Sequence, residues 1–438
     1  MQPVRTAPTA VRGTLTPKGY RPRLLEGRLT RMMQAFGCVD IVGPRWCGKT
    51  WLALSQAASA THLDRREERE AAATAPELAL VGDQPHLVDE WQEVPQVWDA
   101  VRSAIDASGN KRGQFLLTGS SDLTASERQQ VTHSGTGRIA RLRMRPLSLL
   151  ESGDSSGTIS LEALFNGAAV SPARRDTSLQ EVATWCCRGG WPANVTLGSD
   201  EAAMETARQY IQSVLDKNVP DEGKSPQTAL AAMRAIAMNA SQAVTLKTLV
   251  ADMGQAQVST ATLDSYLNLF DRLYLTERLA GWEPPLRAKA RVRVKPKRYF
   301  VDPSLASALL DATPDHLCRD AQTLGLLFEN LVLRDLNVYL STYGGLGDGI
   351  MYYRDEHGLE ADAVLEHAGT WAGIEIKLSD TKADEGAASL LACKKKLCGN
   401  KLAQVPEPAF LAVIVGRGGL AYQRDDGVWV IPIATLAP

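Results

Sequence analysis

Gly43-Pro44-Arg45-Trp46-Cys47-Gly48-Lys49-Thr50 has the spacing G-x-x-x-x-G-K-[ST]. It follows a short apolar run, Val39 to Val42, interrupted by Asp40, and leads into Trp51-Leu52-Ala53-Leu54. A strand, a glycine-bounded loop and a helix start are the context of a phosphate-binding loop. Glycines let successive N–H groups turn toward phosphate oxygens. The helix beginning near Gly48 adds the positive end of its dipole. Lys49 is placed to reach the β- and γ-phosphates, and Thr50 to offer its hydroxyl to Mg²⁺. Gly43 through Trp51 is therefore the candidate nucleotide-contacting segment. The bland alternative, a chance glycine turn before a helix, is disfavoured by the flanking strand and helix signals.

Working outward, His86-Leu87-Val88-Asp89-Glu90-Trp91-Gln92 is an apolar strand running into adjacent carboxylates. Alone that pattern is weak. About 40 residues after a phosphate loop it gains force, because both strands belong in one parallel sheet beside the nucleotide. Asp89 then holds Mg²⁺, directly or through water, and Glu90 orients or deprotonates the attacking water. Gln114-Phe115-Leu116-Leu117-Thr118-Gly119-Ser120-Ser121 reads as a further buried strand ending in small hydroxyl residues. Ser120, with Thr118 close behind, is the candidate γ-phosphate sensor; an ordinary strand-end turn is the alternative. From Gly137 to Ser148 basic and apolar residues alternate. That is either a half-exposed strand or the source of an arginine finger for a neighbouring subunit, Arg138 or Arg141.

These phrases together, with Pro146-Leu147-Ser148-Leu149-Leu150-Glu151, resemble the prokaryotic AAA-type ATPases of the archaeal-ATPase group, relatives of the STAND ATPases. The resemblance spans Tyr20 to Glu151, and Gly189-Gly190-Trp191-Pro192 is similar to the element that opens the family's helical lid. The family often has a smaller or polar residue where Trp46 stands. The resemblance implies ATP and Mg²⁺ as cofactors, an ATP-fuelled conformational cycle, and a homo-oligomer, a hexameric ring being one form. STAND relatives often lack a trans arginine finger, which leaves the role of Arg138 open.

The bulk numbers set the frame. A chain of 438 residues suggests about two to four domains. A formal net charge of −2 means that any nucleic-acid contact must come from local patches. No apolar run approaches a membrane span, and Met1 to Arg23 lacks the apolar core of a signal peptide. Seven scattered cysteines fit a reduced, cytoplasmic protein.

Helical spacing over 178–218 fits an all-α lid, and 226–285 reads as three short helices. The polar phrase Ser259-Thr260-Ala261-Thr262-Leu263 suits either the recognition helix of a winged helix or a helical adaptor. Arg287, Lys289, Arg291, Arg293, Lys295 and Lys297 then alternate with other residues. In a β conformation all six cations share one face. Such a ribbon suits a wing lying along nucleic-acid phosphates, or a sheet edge protected by charge.

The C-terminal stretch carries Glu329 on an amphipathic helix, Asp362 on a strand, and Glu375 with Lys377 on the next strand. Residues two apart on a strand share a face, so Glu375 and Lys377 can meet Asp362 and Glu329. Three carboxylates can hold Mg²⁺, and a lysine beside it can stabilise phosphodiester attack. A plain strand with charged residues is the alternative. From Arg298 to Pro438 this ordered set resembles the PD-(D/E)xK nucleases, a fold that also includes members that bind DNA without cutting.

The expected fold class is α/β: a P-loop AAA-type parallel-sheet ATPase core (1–151), a connector and helical lid (152–225), a winged-helix-like module with a basic ribbon (226–297), and a restriction-endonuclease-like domain (298–438). The expected function is an ATP-hydrolysing motor or switch that binds nucleic acid, DNA above all. The alternative is an ATP-dependent signalling or adaptor protein whose nuclease-like domain binds a protein partner.

Overall fold

The computed structural model describes residues 15–168, 171–254, 258–282, 295–344, 349–400 and 405–438. The chain divides into two compact units. One is Met1–Pro146 with Arg272–Tyr274, and the other is Leu147–Asp271 with Leu275–Pro438.

The first unit is built on a parallel sheet of β1 (Cys38–Val42), β2 (Ser59–His62), β3 (His86–Asp89), β4 (Phe115–Gly119) and β5 (Ile139–Arg143), in the order β2-β3-β4-β1-β5. Strands β1, β3 and β4 are buried throughout, which is why they read as near-continuous apolar runs. Asp40 is the exception. Its two oxygens take hydrogen bonds from Trp91 Nε1 (3.1 Å) and Arg141 Nε (3.2 Å). Burial, opposed by Arg141, still pushes its carboxyl up to about 6. The helix Val97–Ala107 buries Val97, Trp98, Val101 and Ile105, one face at helical spacing. Strand β4 lies between β1 and β3, with Val42 level with Gly119 and Asp89 level with Thr118. The carboxyl ends of the three strands thus open on one edge, where ligands of parallel α/β sheets bind.

The second unit has helices at Leu179–Arg188, Asp200–Ser213, Pro226–Met238, Leu246–Asp252 and Thr260–Arg272, in keeping with the helical spacing. Two minor strands, β6 (Ile159–Ser160) and β7 (Ala173–Thr177), precede them. A mixed sheet follows: β8 (Thr276–Gly281), β9 (Lys297–Phe300), β10 (Ile350–Arg354), β11 (Glu360–His367), β12 (Thr370–Ser379), β13 (Phe410–Gln423) and β14 (Trp429–Pro432). Its order is β14-β13-β12-β11-β10-β8-β9, with β7 added to β13. The helix Ala321–Ser341 is buried along nearly its whole second half.

Strand β8 pairs with β10, so the pair β8–β9 belongs to the C-terminal sheet. The boundary expected between 297 and 298 falls inside β9, and 226–297 is not a separate compact unit. Arg287, Lys289, Arg291 and Arg293 lie outside the described residues. Lys295 precedes β9, and Lys297 opens it but is buried.

Gly190 is where the helical part of this unit is fixed. Its N–H donates to Asp302 Oδ2 (2.8 Å), and a Cβ there would lie 2.1 Å from the Leu147 carbonyl oxygen. Arg334 is buried between Asp302 (3.0 Å) and Asp335 (2.7 Å).

Candidate nucleotide site and a carboxylate cluster

The loop from Gly43 to Gly48 joins β1 to the helix Lys49–Leu54. Gly43 is required sterically: a Cβ would stand 2.2 Å from the Met144 carbonyl oxygen. Gly48 is left-handed, with φ +100°, a conformation open to glycine. Trp46 is also left-handed, with φ +63°, and is exposed along with Trp51. Pro44 and Cys47 are buried, and Arg45 is half-buried. The buried Lys49 donates Nζ–H to the Pro44 carbonyl at 2.8 Å, so its ammonium is curled over the loop.

Thr50 Oγ1 donates to Asp89 Oδ1 at 2.9 Å. Thr118 donates to the same oxygen, and His62 Nδ1 lies 3.2 Å from Oδ2. Burial works against the Asp89 carboxylate, yet the hydrogen bonds from His62, Thr118 and Thr50 hold it below the usual range. Glu90 is left-handed, with φ +55°, which turns its side chain away from the strand line. Ser120 Oγ donates to Glu90 Oε2 at 2.8 Å, and Gln92 donates to that oxygen as well. The structure therefore brings together Lys49, Thr50, Asp89, Glu90 and Ser120.

Arg138 is placed differently. Its carbonyl accepts from Cys38 N (3.1 Å), and its Nε donates to Asp106 (2.8 Å). It stands where β5 begins, at the sheet end opposite the loop of its own chain.

Two residues shape the site without any local sequence signal. Arg23 donates to the carbonyls of Cys47 and Arg145, both at 2.8 Å, and so braces the loop from behind. His62 is level with Asp89 across β2 and β3. Neither lies in a recognisable motif, and each acts through a contact distant in sequence.

Residues 36–152 match the model of the AAA domain family. The chain carries a P-loop ATPase domain. Residues 179–316 and 324–436 match two domains of unknown function, DUF8612 and DUF4143. No curated protein matches the sequence. Among solved structures, a Walker-type ATPase of Pyrococcus abyssi is 13% identical, with a TM-score of 0.45, covering 68% of this chain and 99% of its own.

The ATPase domain implies a nucleotide and usually Mg²⁺, and its residues fit both. Glycine is obligatory where the loop meets Met144, a buried ammonium lies at the loop, and a hydroxyl and a carboxylate meet at 2.9 Å.

In the second unit two of the expected carboxylates, Glu329 and Asp362, gather around a lysine together with Glu360, which was not among them, while Glu375 pairs with Lys377. Lys297 Nζ lies 2.7 Å from Glu360 Oε1, 3.0 Å from Glu329 Oε1 and 3.7 Å from Asp362 Oδ1. Burial alone would lower its pKa; Glu329, Asp362 and Glu360 outweigh that and raise it. Lys297 is thus no part of an exposed ribbon, because its ammonium neutralises this cluster. Burial and then Asp362 push Glu329 up to about 8 against the pull of Lys297. Glu375 Oε1 pairs with Lys377 Nζ at 2.9 Å, while its Oε2 is buried with no hydrogen-bond partner among the described residues. Burial, then Asp362, raises the Glu375 carboxyl. Asp362 Oδ2 accepts from Ile376 N at 2.8 Å. Among the described residues, no three His, Cys, Asp or Glu side chains are arranged to hold one metal ion. The cluster as built does not fit the metal that Glu329, Asp362 and Glu375 were expected to share. No helix among the described residues is long and apolar enough to cross a membrane.

Proposed function

We propose that the protein hydrolyses ATP at the loop Gly43–Trp51 and uses the cycle to control binding of nucleic acid, DNA above all, by its second unit. The observation that carries the ATPase half is the Thr50–Asp89 contact at 2.9 Å beside Lys49. Loop N–H groups and Lys49 hold the β- and γ-phosphates, for which Lys49 exchanges the Pro44 carbonyl. Thr50 and Asp89 would hold Mg²⁺, which when bound neutralises charge on the phosphate oxygens. Glu90 takes a proton from, or orients, the attacking water. Ser120 fixes the Glu90 carboxylate until the γ-phosphate competes for its hydroxyl.

The DNA half rests on the cations from Arg287 to Lys295 and on the resemblance of 298–438 to nucleases, including its non-cutting DNA binders. A cytoplasmic homo-oligomer, a hexameric ring being one closed form, suits that reading, with Arg138 offered to a neighbour. The place of Lys297 favours recognition over cleavage, and so also keeps the second reading: an ATP-dependent adaptor whose second unit holds a protein. Binding to duplex and single-stranded DNA across a salt series separates the two. The proposal expects affinity that falls steeply with salt. No binding at low salt leaves the adaptor.

A further inference from the structure

We propose that the Lys297 ammonium is the resident cation of the Glu329–Glu360–Asp362 cluster, drawing in two of the three carboxylates, Glu329 and Asp362, that a divalent metal would need, so that this unit takes up no Mg²⁺ and does not cut. The inference rests on reading residues 298–438 as nuclease-like.

Glu360 and Asp362 are two apart on β11 and share a face. Glu329 comes from the helix Ala321–Ser341. Lys297 reaches all three from β9, at the edge of the sheet, with its ammonium 5.2 Å from the centre of the Tyr352 ring on β10. Its side chain is 4% exposed. A buried ammonium survives only when paired and hydrogen-bonded, and here it has two carboxylates at hydrogen-bonding distance and a third at 3.7 Å. Mg²⁺ needs oxygens at about 2.0–2.1 Å in an octahedral set. An ammonium at 2.7 to 3.0 Å from two of the three oxygens occupies that space. Of the remaining groups, Asp362 Oδ2 accepts from the Ile376 amide and Glu375 Oε1 pairs with Lys377, while Glu375 Oε2 has no hydrogen-bond partner among the described residues. Lys297 belongs to none of the positions of the nuclease pattern. It enters from the strand before them, so the pattern is complete by residue type while its cation is supplied by the chain.

The test is Mn²⁺ binding, read by electron paramagnetic resonance on the nucleotide-free full chain. Wild type, Asp362→Asn, Lys297→Met and Lys297→Gln are compared, each checked for folding by circular dichroism. Wild type is expected to bind Mn²⁺ no better than Asp362→Asn. Lys297→Met, or Lys297→Gln should the first not fold, is expected to gain one Mn²⁺ per chain and to lose it when Asp362→Asn is added. Mn²⁺ held by wild type and released by Asp362→Asn would overturn the proposal. So would a folded Lys297 variant that gains no ion, or Mn²⁺-dependent DNA cleavage by wild type that Lys377→Ala abolishes. None of these outcomes bears on DNA affinity, which the salt series tests by itself.

Discussion

Thr50 Oγ1 donates to Asp89 Oδ1 at 2.9 Å, joining the first turn after the phosphate loop to the end of the strand two places away in the sheet. Both groups are ligands suited to one hard cation, and without it they satisfy each other. Asp89→Asn should therefore weaken Mg²⁺-dependent nucleotide binding while leaving metal-free binding nearly intact. Isothermal titration with ATP, with and without Mg²⁺, checks this. Equal losses in both conditions would assign Asp89 a purely structural role.

Ser120 supplies a charge-assisted hydrogen bond to the Glu90 carboxylate at 2.8 Å. Hydrogen bonds to charged groups contribute about 1.5–3 kcal/mol. Ser120→Ala should reduce turnover by about 10- to 100-fold if the bond matters only in the transition state. The effect should fall on kcat, with nucleotide affinity little changed.

The carboxylate cluster makes the stability of the second unit depend on pH. Burial, with Asp362 next, raises the native-state pKa of Glu329 to about 8 from an ordinary 4.5. The native state thus holds this proton more tightly than the unfolded chain does. The stability it contributes is complete below about pH 4.5 and is lost as pH rises through about 8. Thermal unfolding from pH 5 to 8.5 should show that loss, and Glu329→Gln should reduce it. An unchanged slope in the variant would mean that Glu329 is ionised in the native state.

Arg334 should be the costliest single cation to remove from the second unit. It lies between the buried carboxylates of Asp302 and Asp335, which also accept from the Gly190 and Leu149 amides. Arg334→Met leaves both charges uncompensated, which costs about 3–5 kcal/mol. Denaturant unfolding measures it.

What the sequence made legible follows from where its signals are local. The loop Gly43 to Gly48 and the pair Asp89-Glu90 follow or end buried parallel strands whose composition announces them, and the structure sets Thr50 against Asp89 and Ser120 against Glu90. The strands carrying Asp362, Glu375 and Lys377 are equally legible from their apolar neighbours. Lys297 is not. Alternation from Arg287 to Lys297 places six cations on one face of an ideal strand, but Lys297 is buried at the start of β9, and its carboxylate partners lie 32 to 65 residues further on. Arg23 and His62 escaped for the same reason: each is defined by partners that no local pattern reveals.

The most direct test of the account is ATP turnover by Glu90→Gln, measured alongside ATP binding by the same protein. The amide keeps the shape of the side chain but cannot accept the proton of water, and general bases contribute about 10²- to 10⁴-fold. The account predicts ATP affinity close to that of wild type with hydrolysis reduced by at least that order. Hydrolysis at the wild-type rate would contradict it and would place the chemistry outside the Thr50–Asp89–Glu90 edge.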